Sequence, residues 1–133
     1  MDSILASVKA ILGIPAEDTF FNGTLVMHIN TVFNILAQLG CSPAIGFAIT
    51  GPTETWHDMN PTDPETLNLI KTYLGEKVRS IFDPPANGTV SGALDRQLAE
   101  LEWRINAQFD PVIAEQNDDY WYGRFNNLDD DEF

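Results

Sequence analysis

Three patterns predict a mainly α-helical fold: a small bundle of about four helices with a short β-hairpin insertion and an extended C-terminal tail. Apolar residues recur three and four positions apart in four separate stretches. Glycine or proline closes three of them. The alternation that marks strands is confined to one segment near the middle. Helices joined by short connections pack as antiparallel neighbours.

The first helix is expected over residues 2–12. Asp2 or Ser3 caps it, Gly13 stops it, and Ile4, Val8 and Ile11 share a face flanked by Leu5 and Leu12. A loop with Pro15 and the acidic pair Glu17-Asp18 leads to a second helix over 22–39. Asn22 is its expected N-cap, and Phe21 and Val26 occupy the positions of a hydrophobic staple. Its stripe is Leu25, Ile29, Val32, Phe33, Leu36 and Leu39, and Gly40 ends it. The opposite face, Met27, Asn30, Thr31, Asn34 and Gln38, carries so little charge that it points to a neighbour rather than open solvent.

Residues 41–61 are the one long non-helical region. Phe47 and Ile49 alternate with smaller residues, Gly51-Pro52 turns the chain, and Thr53 to Trp56 is β-prone, so a hairpin is expected between 46 and 57. Thr62 and Glu65 then form a capping-box pattern with Pro64 in the first turn. The third long helix, 63–82, carries Leu67, Ile70, Leu74, Val78, Ile81 and Phe82 on its core side. Asp83-Pro84-Pro85 ends it, because proline lacks the N–H the helix needs and displaces its predecessor from the α region. Asn87-Gly88 turns the chain into the fourth helix, 90–109, with Leu94, Leu98, Leu101, Ile105 and Phe109 on one face.

That last helix has a second face. At ~100° per residue, Trp103 falls opposite the leucine stripe. Arg96, Ala99 and Ala107 lie around it, with Arg104 towards the edge. A large ring beside small residues and cations reads as a subunit interface, since tryptophan and arginine are what interfaces concentrate. The blander alternatives are a tryptophan lying flat on the surface or one covered by the chain's own tail.

The 133 residues suit one helical domain, 1–109, followed by an acidic segment, 110–133. The chain has 20 acidic and 7 basic residues and a formal net charge of −13. This argues against binding nucleic acid through phosphates. The last 24 residues hold eight acidic residues and one arginine, so −7 of the total resides there and −6 in the helical part. Acidity alone would make this a solvated tail. Tyr120, Trp121, Tyr122 and Phe125, clustered around Arg124, instead read as anchors for a partner.

Signals for chemistry are weak. The single Cys41 cannot form an internal disulfide and fits a reducing compartment. No apolar run reaches the ~18 residues a membrane helix needs, and no basic n-region marks a signal peptide. His28 sits at the edge of a helical stripe and His57 in a loop. Two histidines and one cysteine are too few for a convincing metal or nucleophile site, and the acidic residues suggest no general acid–base pair. We therefore expect neither catalysis nor a cofactor.

In the segments Leu12-Gly13-Ile14, Asp18-Thr19, Phe21, Met27-His28-Ile29-Asn30, Gln38-Leu39-Gly40, Gly46-Phe47, Glu54-Thr55-Trp56, Lys77-Val78-Arg79, Phe82-Asp83-Pro84-Pro85 and Leu101-Glu102-Trp103-Arg104, the chain resembles the head–tail connector (adaptor) proteins of long-tailed bacteriophages. The segments run in order over about residues 10 to 106. The most telling is the Phe-Asp-Pro-Pro stop followed a helix later by Glu-Trp-Arg. The tail after Phe109 has no counterpart in the resemblance. The resemblance implies a helical virion subunit, made in the host cytoplasm, that assembles as a ring, usually of twelve copies. The ring docks on the portal protein and offers a platform to the next head-completion or tail-joining protein, with DNA passing through its lumen without specific binding. A rival class is an acidic DNA mimic or regulatory protein acting on a basic partner. The rival predicts a monomer or dimer whose binding is salt-sensitive, and it leaves the apolar tryptophan face unexplained.

Overall fold

A computed structural model of the chain describes residues 3–61 and 63–109. Five helices and a short 3-10 turn occupy them: α1 (Ile4–Leu12), α2 (Asn22–Gln38), the 3-10 turn Ser42–Ala44, α3 (Trp56–Met59), α4 (Pro64–Phe82) and α5 (Gly88–Phe109). The centre of the bundle is α4, which packs against α1, α2 and α5. Most of the expected stripe positions meet there, while Ile11 and Ile81, also expected on core-facing stripes, are exposed near their helix ends. Ile4, Leu5 and Val8 of α1, Leu25, Ile29, Val32, Phe33 and Leu36 of α2, Ile70, Leu74 and Val78 of α4, and Leu94, Leu98 and Ile105 of α5 are all buried in one core.

The helix ends follow local chemistry. Ser3 caps α1, its Oγ accepting from the Ala6 N–H at 3.2 Å. Both α1 and α2 close with a left-handed glycine. Gly13 (φ 77°) donates to the Ala10 carbonyl and Ile14 to that of Lys9. Gly40 (φ 91°) likewise donates to Ala37 and Cys41 to Leu36. This paired 5→2 and 6→1 arrangement is the Schellman motif, and it favours glycine at the left-handed position.

Three caps differ from expectation. Asn22 does not cap α2; it is the first helical residue, the capping position belongs to Phe21, and no side chain caps that end. The Phe21 ring lies edge-on to Phe20 and Phe82. Thr62 lies outside the described residues, and the side chain that caps α4 is Asp63, whose carboxylate takes the Thr66 N–H at 2.7 Å and the Thr66 hydroxyl at 2.8 Å. A charged carboxylate is a strong acceptor at this position. Asn87 does more than turn the chain. Its Oδ1 accepts from the N–H groups of Thr89 and Val90, so α5 starts at Gly88, two residues earlier than expected.

The hairpin between 46 and 57 is not present: among the described residues there is no strand, only an isolated antiparallel bridge between Ser3 and Thr55. Side chains replace the ladder. The Asn30 amide makes both hydrogen bonds to the Ile49 backbone, accepting from its N–H at 2.8 Å and donating to its carbonyl at 2.9 Å. The far face of α2 thus finds one of its neighbours within the chain. The Glu54 carboxylate gathers the Thr50 N–H and hydroxyl, which hold its carboxyl below the ordinary glutamate value. Trp56 then opens α3 through a capping box between Thr55 and Asp58. Its ring is buried, its Nε1 donates to Ser7 Oγ at 3.0 Å, and Lys71 Nζ lies 5.3 Å above it.

Asn30 therefore fixes a loop that makes no strand pairs of its own. Asn30→Ala leaves the Ile49 backbone groups without these partners and is expected to cost about 1–3 kcal/mol. Urea denaturation should show a lower midpoint. An unchanged midpoint would mean that water replaces the amide without loss.

Candidate functional site

The helix α5 has two faces. Leu94, Leu98 and Ile105 turn into the core, with Leu101 and Phe109 partly buried beside them. The other face carries Trp103, which is 64% exposed. Burying a tryptophan is worth more than any other single side chain can offer, so a ring left this open is a large reserve of contact energy.

The shape around Trp103 is an open groove of about 450 Å³, lined by Glu65 and Leu69 from α4 and by Trp103, Arg104, Ala107 and Gln108 from α5. At this end α5 is pinned both to α4 and to the close of α2. Gln108 Nε2 donates to the hydroxyl of the buried Thr66, and Asn106 Nδ2 donates to the Leu39 carbonyl at 3.0 Å. Further along the pair, the hydroxyl of the buried Tyr73 donates to Glu102 at 2.7 Å, and Lys77 lies 3.6 Å from the same carboxylate oxygen. Burial and the neighbouring carboxylate push the Tyr73 phenol well above its ordinary value, so it stays protonated and keeps donating.

Of the residues expected on this face, the structure brings Trp103, Arg104 and Ala107 together around the groove. Arg96 and Ala99 lie outside it, exposed on earlier turns of the same helix. Arg104 pairs with Glu100 at 2.8 Å one turn away. Both side chains are largely in water, so the pair adds little stability and leaves the guanidinium available to a partner. The other expected docking residues, Tyr120, Trp121, Tyr122, Arg124 and Phe125, lie outside the described residues.

A second apolar patch had no place in the sequence reading. Phe20 is 84% exposed in the loop before α2. Its ring meets Phe21 edge-on at 4.9 Å between centroids, Phe21 meets Phe82 at 5.2 Å, and Phe82 meets His28 at 6.3 Å. The signal in the sequence was the doubled phenylalanine. A staple uses only one of the pair, so the other needs a separate explanation.

Neither histidine nor cysteine gathers into a reactive centre. His28 rests against Phe82, and among the described residues no three His, Cys, Asp or Glu side chains are arranged to hold a metal ion. No described helix is long and apolar enough to cross a membrane. Cys41 is fully buried, and burial raises its thiol to about 11. We expect a thiol-specific reagent at neutral pH to leave the native protein unmodified and to react once it is unfolded in urea, because only the thiolate attacks. Rapid labelling of the folded chain would show that the α2 C-terminus opens readily.

The model of a family described as phage connector protein matches residues 4–112. No curated protein and no solved structure matches the chain.

Proposed function

Because the chain belongs to the phage connector protein family, we propose that it is the adaptor subunit of a tailed-phage virion, forming a ring that docks on the portal protein and joins the capsid to the tail. The connector family gives the structural role. The ring, the portal and the tail-joining partner are the reading that best accounts for this chain's surface.

The observation that carries the proposal is the two-sidedness of α5. One face completes the core, so the helix is held rigidly, and the other presents Trp103 in an open groove beside Arg104. A rigid helix with a free aromatic anchor suits repeated protein–protein contact. In a ring each subunit meets its neighbour head to tail, so a single such face is used once per contact. The tail, residues 110–133, would reach the portal or a neighbouring subunit with its aromatic anchors. The excess of acid, −13 overall, suits a lumen through which DNA slides, since a negative wall repels phosphates.

The experiment is to measure the mass of the purified protein in solution and to image it on portal complexes. A ring of defined copy number seated on the portal is the expected result. A monomer or dimer that ignores the portal and binds a basic enzyme in a salt-sensitive way would replace this reading with that of an acidic mimic.

A further inference from the structure

A ring contact of this kind joins two different surfaces of the same chain, so the Trp103 face needs a seat elsewhere on the neighbouring copy. We infer that this seat is the aromatic patch of Phe20, Phe21 and Phe82, which receives the Trp103 face of a second copy. The inference rests on the ring reading above and adds the identity of the two surfaces that meet.

Phe20 and Trp103 are the two most exposed large apolar side chains among the described residues, at 84% and 64%. They lie at opposite ends of the bundle. The Trp103 groove borders Leu69 in the first half of α4, whereas Phe82 closes that helix. Thirteen residues at 1.5 Å each separate the two ends by about 20 Å. One subunit therefore cannot cover both patches with its own helices, whereas a neighbour can cover each.

Charge selects the occupant. Glu17 and Asp18 stand three and two residues before Phe20, with the Asp18 carboxylate accepting the Phe20 N–H, and Asp83 follows Phe82, so the patch has an acidic rim. Cations free to answer it are few. Lys9 is buried and donates to the carbonyls of Ala16 and Asp18, Lys71 lies over Trp56, and Lys77 pairs with Glu102. Arg79 shares a cleft with Glu76 and Asp83. On the Trp103 face Arg96 has no partner among the described residues, and Arg104 holds only Glu100, at 2.8 Å in a largely exposed pair that costs little to exchange for a neighbour's carboxylate. An aromatic anchor flanked by arginines fits an aromatic seat rimmed by carboxylates. The chain's own 110–133 segment, with a charge of −7 from its eight acidic residues and one arginine, would meet that rim with like charge.

The test is disulfide trapping at the rim, which spares the aromatic anchors. Thr19→Cys is combined with Ala107→Cys in one chain and with Ala99→Cys in a second, so that the cysteines bracket Trp103. Native Cys41 is buried and does not compete. Each variant is sized without oxidant, then treated with diamide and run on a denaturing non-reducing gel. The expected result is an assembly of wild-type mass in which at least one pair gives a ladder of covalent oligomers, while each single-cysteine variant gives none. Wild-type-sized assemblies with no ladder from either pair would overturn the seat and leave the ring standing. A ladder that stops at the dimer would mean a two-fold pairing and overturn both surfaces as head-to-tail partners. Wild-type protein that stays monomeric at every concentration, alone and with portal, would overturn the ring reading, and this inference with it.

Discussion

Trp103→Ala is expected to abolish assembly while leaving the subunit folded. The ring is 64% exposed in the single chain, so its removal opens no cavity in the core. Its cost falls on the contact instead. Truncating a central aromatic anchor typically removes at least ~2 kcal/mol from an interface. Since 1.4 kcal/mol is tenfold in affinity, each contact weakens about thirtyfold. In a closed ring that loss recurs at every interface, so rings should vanish at concentrations where the wild type is fully assembled. Leu98→Ala is the contrasting variant. Leu98 is buried on the opposite face of the same helix, and its truncation should cost about 2–5 kcal/mol of folding stability. Light scattering for mass and circular dichroism for helix content separate the two. If Trp103→Ala unfolds the monomer, the residue belongs to the core. If it assembles normally, the exposed face is idle.

The helices and their stripes were legible because burial forces a 3.6-residue period on any sequence that folds this way. Every stripe position in α2 from Leu25 to Leu36 is buried, and the glycine and proline stops fell where expected. The region after Cys41 was not legible as it stands. Its alternation of Phe47 and Ile49 satisfies a strand pattern, but the partner of Ile49 is a side chain, Asn30, nineteen residues earlier. Nothing local announces that an amide will stand in for a strand. Caps were misplaced by a residue for a related reason. Asp63 and Thr62 are both credible caps, and only the geometry of the turn selects one. On the candidate site, helical phase alone placed Trp103 outside the core. Phase could not show that Glu65 and Leu69 of α4 would form the other wall of its groove, because that depends on how two helices cross.

Ending the chain at Phe109 is expected to leave the fold intact and to stop heads from joining tails. The described helices end there, with α5 already held to its neighbours through Asn106 and Gln108. The described core is built from residues that all lie within 4–109. The truncated subunit should therefore keep its helix content and unfold at the same urea concentration as the full chain. On the proposed reading the deletion removes docking chemistry: Tyr120, Trp121, Tyr122 and Phe125 as anchors that exclude water, with Asp118 and Asp119 on one side and Asp129 to Glu132 on the other. Loss of several aromatic anchors at once should abolish the contact this segment makes, with the portal or with a neighbouring subunit, while the ring contact through Trp103 remains. In an infection, the expected product is filled heads that lose their DNA and carry no tails. The acidic flanks add a second readout. If charge complementarity guides docking, replacing Asp129 to Glu132 with the neutral amides should slow association and flatten its dependence on salt, while the aromatic anchors still hold the complex once formed. Infectious particles at normal yield from the truncated chain would make the segment dispensable and return it to the reading of an acidic tail in solvent.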